Sequence, residues 1–260
     1  MNTRSSLLWT AFWIASAIVF ATYIMVGYGT VPAMQFMTIF TLEKMLSMDN
    51  LLVIYMIFKY FGIPENQRAR ALTYGILGAV FFRTVLILSG VYIVEHLSWL
   101  LYGFAVFLIW SGYKMMSDAD GDYNPEDSKV VSYIKRHTGT TGVFFGCIIA
   151  VELSDIMFAV DSIPASFGVS QDAFIILSAN LFAVMGLRAL YHAVANGIEV
   201  LHGIEKYIGL ILALVGVNVF INHLWMKIPE AYMLSAVFAI LCAGVLACRK
   251  PTNQEKEKTI

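Results

Sequence analysis

Charge is what this sequence has little of. Lys, Arg, Asp and Glu supply 13% of the 260 residues, hydrophobic side chains supply 59%, and the formal net charge is −1. A soluble domain carries about 25% charged residues. The deficit excludes an ordinary water-soluble globule, and the near-neutral balance excludes a nucleic-acid partner recruited by bulk charge. Cysteine is also scarce. Cys147, Cys242 and Cys248 show neither metal-site spacing nor a paired framework, so they read as buried small hydrophobes. No nucleotide-binding loop occurs, which argues against ATP drive.

Long apolar runs are abundant, and the mean hydropathy is +0.72. A bilayer needs about 20 apolar residues per helix. By that measure the spacing predicts spans over 7–27, 33–58, 74–94, 97–116, 143–165, 171–191, 205–224 and 229–248. The first run exceeds the apolar core of a cleaved signal peptide, about 7–15 residues, and reads as a retained span. The whole chain, 1–260, is expected to be one polytopic membrane domain. A polar loop over 117–141 and a solvated tail over 249–260 are its hydrophilic parts.

Thirteen of the 17 lysines and arginines fall on one side of these spans and only Lys227 on the other, with Lys44, Arg83 and Arg188 inside spans. The positive-inside rule then places both termini in the cytoplasm. In a bacterium-like cell plan this is a multi-pass inner (cell) membrane protein. Trp99, Trp110 and Trp225 lie near span ends, as interfacial anchors do.

Spans two and five share a pattern. Residues 43–50 read EKMLSMDN and residues 155–162 read DIMFAVDS. An acid stands first, Met third, Asp seventh, and Asn or Ser eighth. One arginine follows in the next span of each half, Arg83 and Arg188. Copies offset by three spans cross the membrane in opposite directions, the signature of an inverted repeat. The expected fold is therefore an all-α membrane protein of about eight transmembrane helices. An inverted 3+3 repeat covers spans 2–4 (33–116) and 5–7 (143–224), flanked by the extra spans 7–27 and 229–248.

Five of the 18 acids lie within spans: Glu43, Asp49, Glu152, Asp155 and Asp161. Each charged group at the bilayer centre costs about 2.5–3.5 kcal/mol, so something must neutralise them. At about 100° per residue, Glu152 and Asp155 share a helix face, whereas Glu43 and Asp49 diverge by about 120°. The acids either line different walls of a groove or sit where helices break. Asn50, Ser162 and Pro164 favour interrupted helices at both motifs. Oxygen donors suit the hard ions Mg²⁺, Ca²⁺ and Mn²⁺, and the absence of His and Cys beside them argues against zinc or copper. Five acids against Lys44, Arg83 and Arg188 leave the two negative charges that one divalent cation would cancel.

Met45 and Met157 are either gap-filling core residues or thioethers that would favour Mn²⁺ over harder ions. Arg83, Arg188 and Lys44 read as counter-ions or gates for the acids. Lys44, about 100° from Glu43 around the helix, belongs to a different wall, and His192 reads as an interface residue. Loop residues 118–127, DADGDYNPED, begin like a calcium loop. Tyr123 stands where Gly belongs and Lys129 where a bidentate Glu belongs, so the loop reads as solvated acid.

The segments Glu43-x-x-Leu46-Ser47-x-Asp49-Asn50 and Val151-Glu152-x-x-Asp155-x-x-Phe158-Ala159-x-Asp161-Ser162-Ile163-Pro164-Ala165 resemble the TerC family. Gly186-Leu187-Arg188-Ala189-Leu190-Tyr191 is similar to that family's following signature. The resemblance implies manganese export from the bacterial cytoplasm. Glu43, Asp49, Asn50, Glu152, Asp155, Asp161 and Ser162 would form the ion path. It implies Mn²⁺ as cargo with no resident cofactor and a transporter rather than an enzyme, and it leaves the coupling ion open; the carboxylates themselves make protons the candidate. Neither the residues nor the resemblance assigns an oligomeric state. Two other classes remain open. One is a non-transport membrane factor for metalloprotein maturation with a structural metal site. The other is an intramembrane aspartyl protease, whose Tyr-Asp and Gly-x-Gly-Asp patterns are not matched by Ser47-Met48-Asp49 and Ala159-Val160-Asp161.

Overall fold

The computed structural model describes residues 3–97, 99–117, 128–137, 139–187, 191, 204–224 and 227–248. All nine elements described are helices: α1 (Thr3–Tyr28), α2 (Thr30–Phe61), α3 (Glu65–His96), α4 (Leu100–Ser117), α5 (Lys129–His137), α6 (Gly139–Val169), α7 (Ala173–Met185), α8 (Ile204–Leu224) and α9 (Glu230–Cys248). Four contain stretches long and apolar enough to cross a membrane: Leu8–Tyr28, Glu65–His96, Gly142–Val169 and Glu230–Ala247. Two further apolar helices, Ala173–Met185 and Lys206–Asn222, are shorter. The protein is thus a multi-pass, all-helical membrane protein among the described residues. Arg188, His192, Trp225, loop residues 118–127 and the tail lie outside them.

Local chemistry sets the element ends. Gly29 (φ 101°) and Gly62 (φ 70°) alone take positive φ among the described residues. Gly62 adopts the left-handed conformation that closes α2, donating its N–H to the Lys59 carbonyl at 3.1 Å, while Ile63 donates to Phe58 at 2.9 Å. Asp172 caps α7 by accepting from the Phe174 N–H at 2.8 Å.

The short helix α5, inside what the sequence reads as a polar loop, was not anticipated. Its run of apolar residues is too brief to register against a membrane span. Val131 is buried, and Lys135 reaches back to the Tyr60 carbonyl at the end of α2, 2.6 Å away.

The expected interruption of the acidic helices is not found. α2 continues through residues 43–50 and α6 continues past Pro164 to Val169. At 1.5 Å per residue each is roughly 46–48 Å long. Pro164 removes one backbone bond, to the carbonyl of Val160, near the end of α6, and membrane helices tolerate such a loss. The acids need no helix break because a side chain from a neighbouring helix reaches two of them.

Two apolar cores flank that contact. One joins Phe36, Ile39, Ile87, Leu108, Ile175 and Leu212 with their neighbours. The other joins Leu51, Ile57, Phe58, Leu72, Cys147 and Val184. Along α2, α3 and α6 the change from one core to the other falls near residues 47–50, 80–86 and 152–158. A polar layer occupies that level.

The ends of the helices sort into two faces. The start of α2 (Gln35), the end of α6 (Ser170) and the start of α9 (Glu230) are hydrogen-bonded together. The start of α3 (Asn66, Arg70) and the start of α6 (Phe144, Phe145) line a common cavity at the other end. α2 and α6, which carry the two acidic motifs, are therefore antiparallel. The second face, with Lys59, Arg68, Arg70, Lys135 and Arg136, is the basic one.

Candidate functional site

Arg83, on α3, is only 2% exposed and is among the largest fully buried side chains. A guanidinium stays ionised in any protein setting, so it demands partners wherever it is buried. Three helices supply them. Asp155 of α6 accepts in bidentate fashion, from Nε at 3.2 Å and Nη2 at 3.1 Å. Glu43 of α2 accepts from Nη1 through Oε2. Asn180 of α7 accepts from the same nitrogen at 3.1 Å. The planar five-donor fork of arginine suits such a junction of four helices.

Glu43 and Asp155 hold the same, first place in the two copies of the motif. The structure thus brings equivalent positions of both copies onto one cation. With both carboxylates ionised, the cluster carries one excess negative charge. Glu43 Oε1 is buried and has no hydrogen-bond partner.

The other sequence-predicted residues are distributed around this cluster. Glu152 shares the α3-facing side of α6 with Asp155 but does not reach Arg83. Its carboxylate packs where a Cβ on Gly78 would overlap it, so the glycine creates the space. Both of its oxygens are buried and unpartnered. It lines a cavity of about 790 Å³ on the basic face, with Asn66, Gln67, Arg70 and Tyr74.

Asp161 turns to α4, where Ser111 donates to it at 2.9 Å. Asn50, 4% exposed, and Ser162, 2% exposed, are buried with Oδ1 and Oγ unpartnered. Asp49 lies on α2 and its side chain is outside the described residues, as is Arg188. Among the described residues, no three His, Cys, Asp or Glu side chains approach closely enough to hold a metal ion.

Two roles need correction. Lys44 is not a counter-ion to the described acids: its ammonium donates to the Ala183 carbonyl at 3.1 Å, near the C-terminus of α7. The electron-rich end of a helix is a natural seat for a cation. Met157 is 67% exposed on the outside of α6, so its thioether does not face the buried cluster, whereas Met45 is 3% exposed and packs in the core.

Sequence reasoning missed Asn180, Ser111, Gly78 and the free hydroxyl of Ser47. Ser47 had a signal, since it stands one helical turn after Glu43. The others stand on partner helices, where one sequence gives no pairing.

A second cavity, of about 690 Å³, opens at the opposite end of the bundle. Gln35, Ser170, Gln171, Asn222, Lys227 and Glu230 are its polar lining. The Arg83 layer lies between the two cavities along α6, which passes from one to the other.

Comparison with known proteins agrees with this architecture. Residues 28–258 match the model of the Integral membrane protein TerC family. A protein of Photorhabdus laumondii named "Putative membrane-bound redox modulator Alx" is 35% identical, the match covering 95% of this chain and 85% of that protein. The protein of the same name in Escherichia coli K12 is 33% identical, with 93% and 83% covered. An uncharacterized membrane protein of Rickettsia bellii is also 33% identical, with 95% and 87% covered. No solved structure matches. With the family model covering most of its length, this chain belongs to the TerC family of integral membrane proteins.

Proposed function

We propose that this protein is a secondary transporter that moves a divalent cation, Mn²⁺ before others, out of the cytoplasm. The observation that carries the reading is Arg83. A cation is already held in the protein interior by the first acid of each motif copy. A site that draws two carboxylates from separate helices onto one buried positive charge is built for cations. The guanidinium is a tethered stand-in that keeps the acids compensated while no ion is bound.

A doubly charged ion matches the two carboxylates better than one guanidinium does. Its arrival frees Arg83 to retract, and its departure draws Arg83 back. The all-oxygen set of Glu43, Asp155 and Asn180, with Asn50 and Ser162 beyond, suits Mn²⁺, Mg²⁺ and Ca²⁺. Mn²⁺ is preferred because the motifs resemble those of manganese exporters. Asp49, Glu152 and Asp161 serve as further acids on the path, and Arg188 is the second motif copy's counterpart of Arg83.

The arrangement supports alternating access. The helices form eight spans with an inverted 3+3 repeat, both termini in the cytoplasm, and the basic face inward. The cavity beside Glu152 then opens to the cytoplasm and the one beside Glu230 to the outside, with the Arg83 layer closed between them. Protons entering the vacated carboxylates return the carrier.

Mn²⁺ accumulation in cells tests the reading. Cells producing Glu43→Gln or Asp155→Asn are expected to retain manganese as cells without the protein do. Parent-like clearance by both variants overturns the assignment. A scaffold with a fixed structural metal would give no flux from sealed liposomes containing this protein alone, whereas a transporter does.

A further inference from the structure

Hydroxyls inside membrane helices usually donate to the carbonyl one turn back. Thr38, Thr41, Ser154 and Ser166 do so here, at 2.7–3.1 Å. Ser47 and Ser162 do not. Both are buried, 0% and 2% exposed, and neither hydroxyl has a partner. Asn50 Oδ1 and Glu43 Oε1 are likewise buried and unpartnered. An orphaned buried polar atom forfeits about 1–3 kcal/mol, so these four oxygens point to a ligand that satisfies them in turn.

Their spacing is regular. Glu43, Ser47 and Asn50 stand at i, i+4 and i+7, within about 60° of one another and over about 10 Å of α2. On α6, Asp155 and Ser162 repeat the i, i+7 relation. Because α2 and α6 are antiparallel, the two stripes leave the Arg83 cluster in opposite directions. The α2 stripe heads for the basic face. The α6 stripe heads for the opposite face, where Ser166 accepts from Asn180 Nδ2 at 3.5 Å and Ser170 donates to Gln35 at 3.1 Å beside the second cavity.

We propose that the transported cation travels along one oxygen track with two arms: Asn50 and Ser47 on α2 lead to the Glu43–Asp155 pair, and Ser162 and Ser166 on α6 lead away from it. The proposal rests on the transport reading above and adds a route to it. Each arm offers one neutral oxygen per turn or two, enough to replace part of an ion's water shell without trapping it. The two arms use the same motif positions, first and eighth, so the inverted repeat supplies one entrance and one exit.

The test uses full-length protein in sealed liposomes, with Mn²⁺ flux read by a trapped metal-quenched dye. Ser47→Ala and Ser162→Ala are each expected to slow Mn²⁺ flux about fivefold or more, the scale of one lost oxygen contact. Asn50→Ser keeps an oxygen, the one the α6 copy itself uses, and is expected to stay within about twofold of the parent while Asn50→Ala falls with the other two. Ser154→Ala, whose hydroxyl is already bonded, is expected to match the parent. Parent-like flux in Ser47→Ala, Asn50→Ala and Ser162→Ala, with Glu43→Gln inactive, overturns the track and leaves the carboxylate reading standing. Parent-like flux in Glu43→Gln overturns both.

Discussion

Two helix contacts in this protein are built on opposite principles. α4 and α8 meet backbone to backbone. A Cβ on Gly112 would lie 2.8 Å from the Ala213 nitrogen, and one on Gly209 would lie 2.6 Å from the Gly112 carbonyl oxygen. Small residues at a helix seam allow that approach, and close packing then supplies attraction that lipid cannot match. The α2–α3–α6–α7 junction instead meets through long charged side chains around Arg83. A seam with no side-chain thickness has one arrangement. A guanidinium on a flexible stem can let go of one carboxylate without moving a helix. The seam fixes a frame, and the junction is where the frame permits change.

The two contacts differ most sharply at Arg83. Arg83→Ala strands two buried carboxylates, and losing one partner of a buried ion pair costs about 3–5 kcal/mol. Thermal melting in detergent is expected to drop accordingly, and millimolar Mn²⁺ is expected to recover part of the loss. Gly112→Val wedges the seam instead, with an expected cost of about 1–3 kcal/mol from overpacking. Mn²⁺ is expected to leave that variant's melting unchanged, because no charge has been uncovered. Equal recovery of both variants by Mn²⁺ would erase the distinction drawn between the two contacts. The smallest effect belongs to Lys44→Met. It leaves the Ala183 carbonyl without its donor, for about 0.5–1.5 kcal/mol, and is expected to preserve manganese clearance, since the ammonium serves α7 rather than the acids.

The sequence makes the α2 and α6 motifs and their in-span arginine legible because a charge in an apolar run has no innocent explanation. Glu43, Asp155 and Arg83 meet as that logic demands. What it could not say is which helix fills each face. Glu152 and Asp155 share a side of α6, yet only Asp155 lies level with Arg83, while Glu152 rests three residues earlier against Gly78. Asp161 looks to α4 for the same reason: its angle was readable and its neighbour was not. Helix breaks were expected because the acids needed relief, and Arg83 provides relief from the side. The helical α5 was hidden by its brevity. The free hydroxyls of Ser47 and Ser162 depend on rotamers, which no residue pattern encodes.

The central proposal is that Arg83 holds the place of the transported ion. A structure of the purified protein determined with Mn²⁺, located by its anomalous scattering, addresses that directly. The metal is expected between Glu43 and Asp155, with the Arg83 guanidinium withdrawn from at least one of them. Metal bound elsewhere while Arg83 still bridges both carboxylates would contradict it.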